Sequence, residues 1–324
     1  MRVADAIVVG GGPAGSTCAW KLHEAGLDVL LLDREAFPRV KLCAGWVTPE
    51  ALTDLELEPD DLPVGLVTFD ELELHWKMFT SSPRSRQYSI RRVEFDDFLL
   101  RRADVVVLQH RVQSIRRNGG DYVIDDKYRC RYLVGAGGTR CPVYRTFFHE
   151  RNPRRSALQT ATWEQEFAYD WKDASCHLWF FDDGLPGYAW YVPKDNGYIN
   201  VGLGGMADQL KRKGGRIREY WSKFADKLKR SGLVDYDDYR PAGYSYFLRG
   251  SGDIVSDRNA YIVGDSVGLA THDMCEGIGP AIRSGLLAAN AIVSGAEYSL
   301  DAIGRFSGSG WASRLLGRRF AGAQ

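Results

Sequence analysis

The sequence has no excess charge of either sign, no paired-cysteine motif and no apolar run long enough to cross a membrane. Lysine plus arginine and aspartate plus glutamate both number 42, so no basic field favours nucleic acid as a partner and no acidic bias indicates a disordered tail. The six cysteines include no C-x-x-C pair, and free thiols are typical of the cytoplasm. We therefore predict a neutral cytoplasmic protein with no signal peptide and no metal site, and its 324 residues allow about two domains.

A glycine-rich turn follows the first apolar run. Residues 6–9 (A-I-V-V) are typical of a buried parallel strand, and the G-x-G-x-x-G turn after them predicts a helix start that binds a diphosphate. Exposed N–H groups and the positive end of the helix dipole stabilise an anion there. The residues predicted to contact the cofactor in this turn are Gly10, Gly12, Pro13, Ala14 and Gly15.

A second apolar run, residues 28–32, ends in Asp33. A carboxylate at the end of the second strand is placed to accept hydrogen bonds from an adenosine ribose. Strand, helix and strand form a βαβ unit of the dinucleotide-binding type. The alternative, a plain glycine-rich loop, leaves the flanking strands and the acid unexplained.

A further glycine-containing segment lies far along the chain. Residues 260–263 (A-Y-I-V) predict a strand, followed by G-D-S-V-G at 264–268 and by E-G-I-G-P-A-I-R-S-G at 276–285. This order resembles the second flavin motif of FAD-dependent oxidoreductases built like para-hydroxybenzoate hydroxylase, and within them the geranylgeranyl reductase family. The resemblance implies FAD as the cofactor, with contacts from Asp265, Gly277 and Ile278 and a helix that begins near Pro280.

Two other segments resemble the same family. F-P-R-V-K-L-C-A-G at 37–45 resembles a segment that passes close to the flavin ring, which implies cofactor contacts for Cys43 and Ala44. R-V-E-F-D-D-F-L at 92–99 resembles a helix whose arginine approaches the cofactor's phosphates or ribose, which a guanidinium suits, so Arg92 is included. We also predict that Arg34 and Val112 contact the cofactor. Cys43 is alternatively a buried thiol that acts as a small hydrophobe.

The segment G-Y-A-W-Y-V-P-K at 187–194 resembles the family strand that lines the substrate cavity. Strand alternation places Tyr188, Trp190 and Val192 on one face. We predict that Trp190, Val192 and, from an adjacent strand, Trp179 contact substrate, although such residues are also typical of a core. Flavin-dependent halogenases carry a comparable W-x-W-x-I-P element, and the single tryptophan here weighs against halogenation.

The sequence departs from the family pattern at three positions. Gly137 replaces an aspartate that hydroxylase relatives use toward pyrophosphate and NADPH, so we keep Gly137 as a cofactor contact and leave the external electron donor open between NAD(P)H and a reduced carrier protein. His272 stands where relatives commonly have proline, and Cys275 where they commonly have glycine. His272 is either structural or, like Cys43 and Tyr188, a catalytic proton donor.

Short alternating or aromatic segments separate the two flavin motifs. Residues 75–79, 157–167, 176–181, 188–193 and 198–204 predict the strands of an antiparallel sheet. The predicted fold class is α/β: a Rossmann-like FAD/NAD(P)-binding domain of parallel sheet and helices, residues 1–50, 90–150 and 253–324, with an interleaved antiparallel-sheet substrate domain, residues 51–89 and 151–252.

These features predict an FAD-dependent oxidoreductase that reduces a carbon–carbon double bond in an apolar substrate, prenyl, lipid or polyene-like, by hydride transfer from reduced flavin. The alternatives are an FAD-dependent monooxygenase or halogenase of the same fold and a flavin-binding protein without turnover. The expected partners are a small apolar substrate and a redox partner, and no nucleic acid. The basic C-terminal stretch from Arg305 to Phe320 either packs on its own domain or makes peripheral contact with a membrane surface.

Overall fold

The computed structural model describes residues 1–212, 217–252 and 254–307, which separate into two compact units. The first unit comprises residues 1–39, 95–155 and 247–307, and the second comprises residues 40–94 and 156–246. Within the described ranges, no helix has the length and apolarity needed to cross a membrane. Most of the basic C-terminal stretch, from residue 308 onward, lies outside the described residues.

Both units combine strands with helices. In chain order, the strands are β1 (Arg2–Val9), β2 (Val29–Asp33), β3 (Trp46–Val47), β4 (Leu66–Trp76), β5 (Phe79–Ser81), β6 (Arg84–Ile90), β7 (Val106–Gln109), β8 (Ile115–Asn118), β9 (Asp121–Ile124), β10 (Tyr128–Gly135), β11 (Gln159–Ala168), β12 (Cys176–Phe180), β13 (Gly187–Lys194), β14 (Tyr198–Met206), β15 (Ala242–Phe247), β16 (Ser256–Asp257) and β17 (Ala260–Ile262). The helices are α1 (Pro13–Glu24), α2 (Pro49–Asp54), α3 (Arg92–Arg102), α4 (Pro142–Phe147), α5 (Ala207–Arg212), α6 (Ile217–Arg230) and α7 (Ile278–Ser294).

The first unit is built on a sheet with the strand order β16-β17-β10-β1-β2-β7, to which β9 and β8 are added beside β10. The pairs β17–β10, β10–β1, β1–β2 and β2–β7 are parallel. Residues of β1 and β2 such as Ile7 and Leu31 are fully buried, as the continuous apolar runs of a covered parallel sheet require. The predicted Rossmann-like α/β fold is confirmed.

The second unit is built on a sheet with the strand order β15-β11-β14-β13-β12-β4-β6-β3, with β5 beside β4. The pairs β11–β14, β14–β13 and β13–β12 are antiparallel, as predicted. β12 and β4, however, run parallel, with Cys176 opposite Leu72. The strand predicted at 75–79 is wrong only at its centre: residues 75–76 end β4 and residue 79 begins β5, but Lys77 adopts a left-handed φ of 55° in the turn between them.

The two faces of this second sheet differ in chemistry. One face packs against α6, whose Trp221, Phe224 and Leu228 are buried with Tyr191 and Val201 of the sheet. Burial of each such side chain stabilises the fold by about 1.5–3 kcal/mol. The opposite face carries Glu164 of β11, Trp190 and Lys194 of β13, and Asn200 and Gly202 of β14, because these residues are opposite one another in the strand register or differ by an even number of positions. We call it the polar face.

Candidate cofactor and substrate sites

The turn between β1 and α1 has the backbone that a bound diphosphate requires. Gly10 has a φ of 114°, and a Cβ there would overlap the Ala136 carbonyl oxygen, while a Cβ on Gly15 would overlap the Gly10 carbonyl oxygen. Helix α1 begins at Pro13 after Gly12, which provides no side-chain cap, and its first turn contains no acidic residue. An anion is therefore the natural partner for the N–H groups at this helix start.

Arg39 adds a positive charge beside this turn. Its Nη2 lies 3.4 Å from the position that a Cβ on Gly12 would occupy, and 3.4 Å from Oδ2 of the fully buried Asp96. A guanidinium held in this way suits a phosphate oxygen. Sequence reasoning missed Arg39, because the resemblance of its segment directed attention to Cys43.

Asp33 stabilises the turn from the end of β2. Its Oδ2 accepts a hydrogen bond from the Gly11 N–H at 2.7 Å, and its Oδ1 accepts one from the Glu35 N–H at 2.9 Å. Arg34 is half exposed and lies 3.3 Å from the Glu35 carboxylate, and Val112 is buried in the core of the first unit. The cofactor contacts of Asp33, Arg34 and Val112 stay predictions.

The second flavin segment folds onto the first. A Cβ on Gly264, whose φ is 59°, would lie 2.9 Å from the Ala14 Cβ in α1, and a Cβ on Gly277 would lie 3.8 Å from Oδ1 of Asp265. Helix α7 begins at Ile278, two residues before the predicted Pro280, and Glu276 Oε1 accepts a hydrogen bond from the N–H of Gly279 at 2.6 Å. Segments separated by some 250 residues thus meet inside the first unit.

Gly137 lies against the glycine turn, since a Cβ on Gly10 would be 2.7 Å from its backbone nitrogen. A Cβ on Gly137 itself would lie 3.1 Å from the Cys141 Cα. That contact is tighter than ordinary side chains make, so this backbone leaves little room for the aspartate of the family pattern.

Arg154, which sequence reasoning also missed, ties together the loops that follow β10 and β17. Its guanidinium donates hydrogen bonds to the carbonyl oxygens of Thr139, at 2.6 Å, and Ser266, and stacks 3.8 Å from the Tyr144 ring. Among the described residues, the buried hydroxyls of Ser266 and Thr17 have no hydrogen-bond partner. Since buried polar atoms are normally paired, these hydroxyls beside the two flavin segments fit a polar ligand.

His272 and Cys275 both have defined surroundings in the loop before α7. Nε2 of His272 lies 2.6 Å from the Arg249 carbonyl oxygen, and its ring is tilted against Phe306 at 5.8 Å. Cys275 has a φ of 54°, the left-handed conformation that favours glycine. The proton-donor role of His272 stays a prediction, and its ring nitrogen has a structural partner.

In the second unit, the segment of Cys43 is fastened to the polar face. Asn200 Nδ2 donates to the Cys43 carbonyl oxygen at 3.3 Å, and Lys194 Nζ donates to the carbonyl oxygens of Ala44 and, at 3.0 Å, Ile90. Lys194 is fully buried, and burial lowers its pKa to about 8 against the opposing effect of nearby acidic groups, Glu166 first. The Cys43 thiol accepts a hydrogen bond from the backbone N–H of Gly45 at 3.3 Å.

The structure separates the predicted substrate residues into two groups. Trp190 and Val192 lie on the polar face with Tyr188, and Trp190 Nε1 donates to Asn200 Oδ1 at 2.7 Å. Trp179 lies on the opposite face, where its ring is 5.5 Å from that of Phe224 of α6. Trp179 lies opposite Ala189 in the strand register, and Ala189 is the neighbour of Trp190. Because successive residues of a strand point to opposite faces, the side chain of Trp179 points away from the polar face.

Arg92 is the first residue of α3 and is buried, and its positive charge acts to lower the pKa of Glu164 on the polar face. Its predicted cofactor contact stays a prediction. Glu164, Lys194 and Asn200 were all missed, because a charged residue that alternates with apolar ones is ordinarily assigned to a solvated face.

Residues 5–221 match the family model described as DAO, FAD dependent oxidoreductase. The chain belongs to this family. It is an enzyme with FAD as its cofactor, and the two flavin segments and Arg39 of the first unit fit that molecule.

Named relatives agree with the predicted resemblance. The chain is 29% identical to a menaquinone reductase of Mycolicibacterium smegmatis, over 91% of this chain and 78% of the relative. It is 32% identical to digeranylgeranylglycerophospholipid reductase 1 of Methanopyrus kandleri, over 62% of this chain and 57% of the relative. A geranylgeranyl bacteriochlorophyll reductase-like protein from Thermoplasma acidophilum shares the fold, with a TM-score of 0.77 at 18% identity over 91% of this chain and 79% of that one. The resemblance to the geranylgeranyl reductases is confirmed.

Proposed function

We propose that this enzyme reduces a carbon–carbon double bond in an apolar, polyprenyl-type lipid or quinone. The observation that carries the proposal is the anchoring of the Cys43 segment, by Asn200 and Lys194, to the sheet face that presents Trp190 and Val192. Both segments resemble those of prenyl reductases, and relatives that match 91% and 62% of this chain are named menaquinone reductase and digeranylgeranylglycerophospholipid reductase 1.

The first unit would hold the cofactor. The turn at Gly10 to Gly15 and Arg39 suit the pyrophosphate, and Asp265 suits the ribityl hydroxyls. Reduced FAD, when bound, supplies a hydride. Arg154 holds the loops after β10 and β17 in place, because it donates to carbonyl oxygens of both.

The second unit would hold the substrate. Trp190 offers an aromatic surface to an apolar chain, and Val192 adds an aliphatic one. A proton must reach the second carbon of the double bond. Of the predicted donors, Cys43 and Tyr188 belong to the unit that carries these side chains, whereas His272 belongs to the first unit and lies against the Arg249 carbonyl oxygen.

The experiment is an anaerobic single turnover. The FAD-loaded protein is reduced with dithionite and mixed with digeranylgeranylglycerophospholipid or with menaquinone in detergent micelles, and flavin absorbance and product mass are followed. We expect the flavin absorbance to return and the lipid to gain two hydrogens. Turnover that needs oxygen and yields a hydroxylated or halogenated product would instead establish the monooxygenase or halogenase function. A bound flavin that no donor reduces would indicate a binding protein without turnover.

A further inference from the structure

Glu164 is a buried acid on the polar face of the second sheet. It is 2% exposed, and in the strand register it lies opposite Gly202, which on its other side lies opposite Trp190. A Cβ on Gly202 would overlap the Trp190 indole and lie 2.7 Å from the Glu164 Cβ. The acid and the indole therefore flank the same glycine, and the absence of a side chain there lets them approach each other.

Burial raises the pKa of Glu164 from its ordinary value of 4.5 to about 7. The charges of Lys41, Lys194 and Arg92 and a hydrogen bond from Asn200 oppose this rise without cancelling it. A substantial fraction of Glu164 is thus a neutral carboxylic acid near pH 7, where a general acid is most effective because it holds its proton and still releases it.

One oxygen of this acid has no hydrogen-bond partner among the described residues. Oε2 of Glu164 is buried and makes no hydrogen bond with any of the residues that the structure describes. A buried carboxyl oxygen normally pairs with protein, water or ligand, since an unpaired one destabilises the folded protein. A proton on this oxygen would have no competing acceptor in the part of the chain that the structure describes.

Asn200 connects the acid to the predicted substrate residues. Its Oδ1 accepts from Trp190 Nε1 at 2.7 Å, its Nδ2 donates to the Cys43 carbonyl oxygen at 3.3 Å, and its side chain also hydrogen-bonds to Glu164. The side chain of Asn200 is itself buried. The orientation of the acid is therefore fixed relative to both the indole and the Cys43 segment.

We propose that Glu164 donates the proton that completes reduction of a double bond lying against Trp190, an inference that rests on the proposed function. The hydride from reduced FAD forms a C–H bond at one carbon, and the π electron pair forms a C–H bond at the other with the proton from Oε2. The O–H bond of Glu164 breaks and leaves a carboxylate, the flavin is oxidised by two electrons and the substrate is reduced by two. Water then returns a proton to the carboxylate.

The test compares Glu164→Gln, Glu164→Asp and Glu166→Gln in the dithionite-reduced, FAD-loaded enzyme. Digeranylgeranylglycerophospholipid in detergent micelles is the probe, and stopped-flow absorbance gives the rate of flavin reoxidation from pH 5.5 to 8.5. In the wild type we expect the rate to fall as the pH rises through about 7. Glu164→Gln should be slower by a factor on the order of 10²–10⁴ and lose this pH dependence. Glu164→Asp, which keeps an acid, should recover part of the rate.

Glu166 is the matched control, since it lies two positions along the same strand and on the same face, but its carboxylate pairs with Arg91 at 2.9 Å. Glu166→Gln should keep the pH profile. An infrared titration gives a readout independent of turnover: the C=O band of a protonated carboxyl should disappear near pH 7 in the wild type and in Glu166→Gln, and be missing from Glu164→Gln.

The outcomes separate the two proposals. Wild-type turnover with an unchanged rate and pH profile in Glu164→Gln overturns the role of Glu164 and leaves the proposed function standing. A reduced wild type that does not convert the probe or menaquinone overturns both. Circular dichroism and FAD titration of each variant exclude loss of folding as the cause of a slow rate.

Discussion

Replacing Glu164 with glutamine should stabilise the folded protein at pH 8 and leave its stability nearly unchanged at pH 4.5. Glutamine has the shape of a protonated glutamic acid, so at low pH the substitution exchanges one neutral side chain for another. At higher pH the wild type must either bury a carboxylate or keep a proton that the unfolded chain has already released.

The sign and size of the effect follow from the pKa of this residue. The carboxyl releases its proton at about pH 4.5 in the unfolded chain and at about pH 7 in the folded protein. Between these values the folded state binds more protons than the unfolded state, so stability falls as the pH rises, and the loss is complete above pH 7. One pKa unit corresponds to about 1.4 kcal/mol, so the difference between the two pKa values lowers the free energy of unfolding by about 3 kcal/mol above pH 7. Glu164→Gln should recover this loss.

The assay is urea unfolding followed by tryptophan fluorescence at pH 4.5, 6 and 8, with Glu166→Gln as the control. Glu166 has a side chain that is 23% exposed and lies in an ion pair with Arg91, so its replacement should lower the free energy of unfolding by no more than about 1 kcal/mol at pH 8. If Glu164→Gln proved as stable as the wild type at pH 8, or less stable, the argument that this acid is neutral when buried would be refuted.

Three further outcomes are expected from other parts of the two units. Gly15→Ala should weaken FAD binding at least tenfold in a fluorescence titration, because the added Cβ would overlap a backbone carbonyl of the same turn. Gly120→Ala, whose added Cβ has no described atom within 4 Å, should bind FAD as the wild type does. As the pH rises from 8 to 10.5, the free energy of unfolding of the wild type should increase by about 3 kcal/mol relative to that of Lys194→Met, because the buried amine releases its proton at a lower pH than it does in the unfolded chain. If urea unfolding gave both proteins the same dependence of this free energy on pH, the prediction would be contradicted. The pKa of His75 is lowered chiefly by burial and then by the charge of His177, whose Nδ1 lies 3.0 Å from the His75 Nε2, so the melting temperature should fall as the pH drops below 6.5. His177→Gln should make this fall in melting temperature shallower, and an unchanged dependence on pH would count against the coupling of the two histidines.

Local sequence signals determined the parts of the fold that could be predicted. The run before Gly10, the turn itself and the acid at Asp33 lie within one βαβ unit, so neighbouring residues carry the information. The parallel pairing of β4 with β12 could not be predicted in this way. The turn at Lys77 required a left-handed backbone at a residue type that rarely signals one.

In the candidate site, too, the sequence predicted some residues and missed others whose role depends on packing. Resemblance supplied Cys43 and Trp190, but the residues that connect them, Asn200 and Lys194, look in the sequence like the polar ends of ordinary strands. Their burial depends on what packs over the strand, which strand alternation does not reveal. Trp179 illustrates the converse, since an aromatic residue on a neighbouring strand can belong to either face.

The interleaved order of segments has a consequence for biosynthesis. Strand β4 ends at residue 76 and its parallel partner β12 begins at residue 176, so the growing polypeptide must add some hundred residues before that edge of β4 can pair. Likewise α1 cannot make its contact with α7 until Gly285, whose backbone packs against the Ala14 carbonyl oxygen, has been synthesised. The nascent chain therefore cannot complete its coenzyme pocket until α7 has been translated, and it exposes unpaired strand edges that chaperones would recognise in the meantime.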